Sequence, residues 1–273
     1  TQGTKPPYMT HNALPPNNLT TGFRYLTQGI GVLLQPGMKR FVLIPVVANC
    51  IVFLILTIAL FQNFSELKQG FIGFFPDWAW LSYIVTFFTA MFIFLTLLIY
   101  GYSFTLLTNI IAAPFYGMMA EKIEHRITGQ ELPSESLGSM VARTLRREMV
   151  KLFYFLSRGL LVMIGLFFLS PIPLINFLVP FLALLWGTWV MTLQYIDYPA
   201  DNNQLSFTAL RSRLKSQRLS SASFGGIIML ASMTPIVNIV IMPLAVAGGT
   251  LFWINELQQN TLETNIIQNH HHQ

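Results

Sequence analysis

Four stretches of this chain carry no Asp, Glu, Lys or Arg at all: 41–65, 78–120, 159–196 and 219–255. Runs of that length cannot be wrapped around a water-soluble core, because a helix that is apolar on every side must be enclosed by lipid or by protein. Composition agrees. Of the 273 residues 53% are hydrophobic and only 10% charged, where a soluble domain carries about 25% charged residues. The chain therefore reads as an all-α integral membrane protein.

The blocks differ in kind. The first has the length of one spanning helix, with the span near 41–62. The second would reach about 64 Å as a single helix at 1.5 Å per residue. Its span is placed near 80–105, with "NIIAAPFYGMMAEKIEHRITG" continuing outward. The third and fourth are broken by prolines, at Pro171 and Pro173 and at Pro235. The pieces before the breaks, 159–170 and 224–233, would reach about 15–18 Å as helices, half a bilayer. The expectation is two long transmembrane helices plus two re-entrant, half-penetrating helical hairpins near 159–196 and 222–255, with basic amphipathic helices between them. A weak internal repeat joins the hairpins, since Pro173-Leu-Ile-Asn176 is echoed by Pro235-Ile-Val-Asn238; broken, repeated apolar segments point to a solute pathway.

Residues 21–256 are expected to form a single membrane domain. Residues 1–20 read as a cloning remnant and disordered N-terminus, and 257–273 as a polar tail ending in a tag remnant, His270–His272. In this topology fifteen of the sixteen Lys and Arg residues share one side, Lys68 being the exception, and the positive-inside rule makes that side cytoplasmic. Cys50 is the single cysteine, which excludes an internal disulfide and reads as a small buried hydrophobe.

No enzyme motif is present. G-x-S-x-G, H-E-x-x-H and the G-x-x-x-x-G-K-[ST] phosphate loop are all missing, and neither a cofactor, a metal nor a nucleic acid is expected as a partner. Glu121, Glu124, His125 and Arg126 have the spacing of helix-surface ion pairs. Asp197 and Asp201, in "DYPADN", read as a capped turn leaving the membrane, or more weakly as a carboxylate pair. The formal net charge of +5 favours anionic partners, lipid headgroups or a small solute. Arg143, Arg147 and Lys151 recur at helical spacing, as do Arg211, Lys215 and Arg218; both sets suit the headgroup region or an anion-gathering vestibule.

The stretch "QPGMKR", 35–40, stands at the door of the first span. Pro36 suits the first turn of a helix, and Gly37 lets a ligand approach the backbone. The N–H groups of Gly37, Met38 and Lys39 would then face outward at the positive helix end. With the Lys39 and Arg40 side chains they would form an oxyanion cradle. Interfacial anchoring of the helix accounts for the same two cations.

"QPGMKRFVLIP", "NIIAAPFYGMMAEKIEHRITG", "RREMVKLFYF", "QYIDYPADN" and "PIVNIVIMPLAVAG" together resemble the CysZ family of bacterial inner-membrane sulfate transporters, over nearly all of 20–255. The resemblance implies sulfate uptake supplying cysteine synthesis, by a channel-like or facilitated mechanism, in a multi-pass protein of the bacterial inner membrane. It also implies two spanning helices, two half-penetrating hairpins and a homo-oligomer. The family's Gly-hydrophobic-Arg-Arg sulfate motif maps onto Gly37, Met38, Lys39 and Arg40, with Lys39 in place of the usual arginine. Glu121, Arg126, Asn176 and Asn238 are candidate pathway or gating residues. Sulfite or related oxyanions and membrane lipids are further expected partners. The alternatives are a membrane structural or regulatory subunit binding anionic lipid or partner proteins, and a lipid-modifying enzyme using Asp197 and Asp201 as a metal pair.

Overall fold

The computed structural model describes residues 17–76, 81–131 and 135–258. Among them there is no strand. The elements are α1 (Thr20–Leu33), α2 (Lys39–Ile72), α3 (Ser82–Thr128), α4 (Leu137–Leu169), α5 (Val179–Asn202), α6 (Phe207–Ser216), α7 (Arg218–Ser232) and α8 (Pro235–Phe252), which a π turn extends over Trp253–Gln258. Among the described residues five helical stretches are long and apolar enough to cross a bilayer: Lys39–Ile72, Ser82–Thr128, Leu137–Leu169, Asn176–Asn202 and Val240–Gln258.

The chain divides into two compact units, 43–112 and a second made of 1–42 with 113–273. The first is an antiparallel pair, the outer lengths of α2 and α3. Phe71 stacks on Phe92 with centroids 4.5 Å apart, Phe53 meets Phe104 edge-on, and the hydroxyls of Thr57 and Tyr100 share a hydrogen bond of 2.7 Å. Away from this seam large apolar side chains are exposed, Ile51, Leu54, Ile58, Phe87, Phe94 and Leu98 among them, which suits helix surfaces in lipid. Cys50 is exposed on α2, not buried as its residue type suggested. Both helices are longer than the spans read from sequence. α2 has 34 residues and α3 has 47, running unbroken through Pro114.

The second unit is a helical cluster. α1, to which the sequence reading assigned no element, packs on α7 and α8. Asn18 Oδ1 caps its start by accepting from Thr20 N and Thr21 N. Gly29 and Gly248 let α1 and α8 approach closely: a Cβ on Gly29 would lie 3.0 Å from Gly248 N, and one on Gly248 3.1 Å from Tyr25 O. Small residues that admit a neighbouring backbone are how helices pack when the surrounding lipid gives no hydrophobic drive. Tyr25 OH donates to Glu256 Oε1 at 2.8 Å. Burial, then the charge of Glu256, holds that phenol above its ordinary value, so it stays a donor.

α4 and α5 form one hairpin, α7 and α8 the other. The breaks fall where the prolines put them. α4 ends at Leu169 before Pro171, and Thr234 takes the extended conformation required before Pro235, which opens α8. The length arithmetic is corrected for the first hairpin. Its leading arm is not an isolated half-helix, because the basic segment and the apolar segment are one 33-residue helix, about 50 Å long. α7, with 15 residues, is short, about 22 Å. The repeat does not carry into geometry either. Leu174 sits in the turn at φ 68°, whereas Pro235–Asn238 is the first turn of α8.

The two hairpins are aligned. Thr192 Oγ1 donates to Ser221 O at 2.7 Å, and Gly187 faces Met229, so α5 and α7 run antiparallel and the two hairpin tips lie at the same end of this unit. Residues 171–178 are all exposed, Leu174 at 85%, and their sequence is PIPLINFL. A turn meeting water would be polar. This one is not.

Candidate anion-binding site

Pro36 and Gly37 do not begin α2. Met38 N–H donates to Gln35 O at 3.2 Å, with Pro36 and Gly37 between them and Gly37 at φ 80°. That is a β-turn of the second type, in which the third residue must tolerate positive φ. α2 starts only at Lys39. The sequence reading of an outward Met38 N–H is therefore corrected, and the Met38 side chain is 0% exposed, a core anchor. Phe41 N–H donates to Met38 O at 3.0 Å. Among the described residues no backbone acceptor takes the N–H groups of Gly37, Lys39 or Arg40.

The far end of α3 meets this turn. Arg126 Nη2 donates to Pro36 O at 2.9 Å and Nη1 to Gln35 Oε1 at 3.3 Å, while Lys122 Nζ reaches Gly37 O at 3.5 Å. A Cβ on Gly37 would stand 3.2 Å from Lys122 Nζ and 3.6 Å from Arg126 Nη2. Buried Phe41 organises the rest, with the Arg40 guanidinium 4.9 Å and the Lys122 ammonium 5.6 Å from its ring centroid. Arg40 and Arg126 both lie close enough to Lys122 for their charges to act on it. Lys39 and Arg40 are exposed. Among the described residues none of these four cations pairs with a carboxylate.

Arg126, a pathway or gating candidate in the sequence reading, lies at the turn. Lys122 was missed, although it lies one helical turn before Arg126 in the same motif. Glu121 is exposed and forms no ion pair among the described residues. The expected surface ion pairs of this segment are corrected. Glu124 is fully buried and accepts from Asn203 Nδ2 and Gln258 Nε2, and His125 Nδ1 lies 3.2 Å from Gln130 O. Asn176 is exposed at the tip of the α4–α5 turn. Asn238 is on α8, but its side chain lies outside the described residues.

The other charged cluster is internal. Asp197 is 1% exposed and accepts from Arg147 Nη2 at 2.7 Å; Lys151, also 1% exposed, has Nζ 3.3 Å from Asp197 and 2.6 Å from Glu148. Arg143 holds the carboxylate and carbonyl of Asp201 and also pairs with Glu135. So Arg143, Arg147 and Lys151 turn inward onto the carboxylates of α5. They fasten α4 to α5, a pairing hidden from the sequence because the partners are some fifty residues apart. Each carboxylate is already engaged by cations, which removes Asp197 and Asp201 as a metal pair.

A family model described as "Sulfate transporter CysZ/Etoposide-induced protein 2.4" matches residues 25–243. The chain belongs to that family. "Sulfate transporter CysZ" of Pseudomonas fluorescens strain Pf0-1 is 42% identical over 254 residues, covering 91% of this chain and 99% of the relative. The protein of that name from Pseudomonas syringae pv. tomato is 44% identical over 86% and 92%. The one from Vibrio atlanticus is 36% identical over 90% and 97%. The family is one of transporters, not enzymes, and with its five spanning-capable helices this member is a multi-pass inner-membrane protein.

Proposed function

We propose that this protein carries sulfate across the bacterial inner membrane by a channel-like or facilitated route, supplying cysteine synthesis, and that Gly37, Lys39 and Arg40 bind the anion with Met38 anchoring the loop. The observation that carries this reading is the uncompensated cation cluster. Lys39, Arg40, Lys122 and Arg126 converge on one turn without a carboxylate among the described residues. Anchoring at an interface asks nothing of a left-handed glycine or of a third and fourth cation from another helix. The free N–H groups at the start of a 34-residue helix add donors and the positive end of its dipole. Arg40 supplies a planar fork, Lys39 and Lys122 compact charges. The names of the relatives favour sulfate over the structural-subunit alternative.

Residues 21–256 act in this reading as a single membrane domain, in which α2 and α3 span and the two hairpins enter part-way and return. Their aligned tips and the apolar, exposed turn 171–178 support this. A re-entrant tip leaves backbone that lipid cannot satisfy, so a homo-oligomer is inferred, with Glu121, Asn176 and Asn238 as pathway candidates. Sulfite and related oxyanions share the chemistry the site recognises. Calorimetry tests the site: the purified protein should bind sulfate and not chloride, and Arg40→Ala should weaken binding by about 1.5–3 kcal/mol, the scale of a charge-assisted hydrogen bond. Unchanged affinity in folded Arg40→Ala protein would return both loop cations to anchoring.

A further inference from the structure

A second basic site lies in the same unit, apart from the loop at Gly37. A cavity of about 380 Å³ opens between α5 and the α6–α7 corner. Lys215 and Arg218 stand at one edge, and Leu185, Trp189 and Ala222 form its wall. Neither cation pairs with a carboxylate among the described residues. Arg218 Nε donates to Lys215 O at 3.1 Å, which fixes the corner and leaves the rest of the guanidinium for a ligand.

The deeper wall offers a ligand little hydrogen bonding. Thr192 Oγ1 is spent on Thr188 O and Ser221 O, Ser221 Oγ on Leu214 O, and Trp189 Nε1 on Tyr154 OH. A small hydrated anion would lose its water against leucine and indole for two cations and the single hydroxyl of Thr188. An amphiphile would not. From the cavity an exposed apolar stripe climbs α5 toward the hairpin tip, through Leu185, Leu182, Phe181 and Leu178, at helical spacing. From Thr188 to Leu178 it rises about 15 Å at 1.5 Å per residue, close to half the ~30 Å hydrocarbon core. That is the depth of one leaflet.

We propose that this cavity holds an anionic phospholipid, its phosphate between Lys215 and Arg218 and its acyl chain along the Leu185–Leu178 face of α5. The lipid covers the junction of the two hairpins, and its binding does not depend on sulfate or on the Gly37 loop.

The test is native mass spectrometry of the full-length protein in detergent, with phosphatidylglycerol, phosphatidylcholine and inorganic phosphate as probes. Phosphatidylglycerol should be retained and phosphatidylcholine lost. Lys215→Gln/Arg218→Gln should weaken retention roughly 30-fold, about fivefold per cation near a membrane surface, while Lys215→Arg keeps it. Should the double variant not stay folded, each single exchange to Gln carries the same comparison at about fivefold. Equal retention by wild type and the Gln variants, or equal retention of phosphatidylcholine, overturns the proposal. Displacement of phosphatidylglycerol by millimolar inorganic phosphate also overturns it, by making this a free-anion site.

Discussion

Gly37→Ala adds one methyl group and no charge, and its effect can be worked from the turn. Gly37 has φ 80°, a conformation that costs an L-residue with a Cβ about 1–2 kcal/mol. The new Cβ would stand 3.2 Å from Lys122 Nζ. That neighbour is the far end of a flexible chain, so it gives way cheaply, and the steric term on folding is small. It gives way out of the cluster. If Lys122 contributes one charge-assisted contact to the bound anion, its displacement costs about 1.5–3 kcal/mol of binding, roughly ten- to a hundredfold. The assay is a double-mutant cycle by sulfate calorimetry on Gly37→Ala, Lys122→Ala and the pair. Residues acting through one another are strongly non-additive. The double variant should therefore bind no more weakly than Lys122→Ala alone, within a few tenths of a kcal/mol. Fully additive losses, or unaltered affinity in Gly37→Ala, would refute the reasoning that the glycine serves the cation beside it.

Lys39→Arg should keep sulfate binding and Lys39→Glu should abolish it, read by the same calorimetry. Asp197→Ala removes the carboxylate shared by Arg147 and Lys151, leaving Arg147 with no carboxylate among the described residues and the buried Lys151 with Glu148 alone. It should cost about 3–5 kcal/mol, the scale for breaking a buried pair, measured by unfolding in mixed micelles; a loss under about 1 kcal/mol would make the pair dispensable. A cysteine at Asn176 in a Cys50→Ser background should resist impermeant thiol reagents from the periplasm, with Ser206→Cys labelled from the cytoplasm. Ready periplasmic labelling would establish a full crossing and defeat the re-entrant reading.

Much of this was legible along the chain. The charge-free blocks located α2, α3 and both hairpins, because lipid forbids charge where side chains face it, and Pro171, Pro173 and Pro235 marked the breaks by local stereochemistry. Helix lengths were not legible at the basic segment. Arg143, Arg147 and Lys151 are polar residues that continue a helix, and nothing in one strip of sequence says that Asp197 and Asp201 wait opposite them. The Gly37 loop was singled out as a candidate, but its conformation was misread: a proline before a glycine suits a helix start and a β-turn alike, and only the Gln35–Met38 hydrogen bond decides. Lys122 was invisible for the same reason as Asp197. Its role depends on where the end of α3 comes to rest.

Sulfate movement is proposed to rest on the cation cluster at the Gly37 turn. Its most direct measurement is labelled sulfate uptake into liposomes holding the purified protein alone, wild type beside Arg40→Ala. Wild-type liposomes should take up sulfate well above protein-free controls, and Arg40→Ala at equal incorporation should fall at least about tenfold at subsaturating sulfate, the factor that 1.4 kcal/mol represents. Equal uptake by folded Arg40→Ala protein, or no uptake by the wild type, would contradict the account.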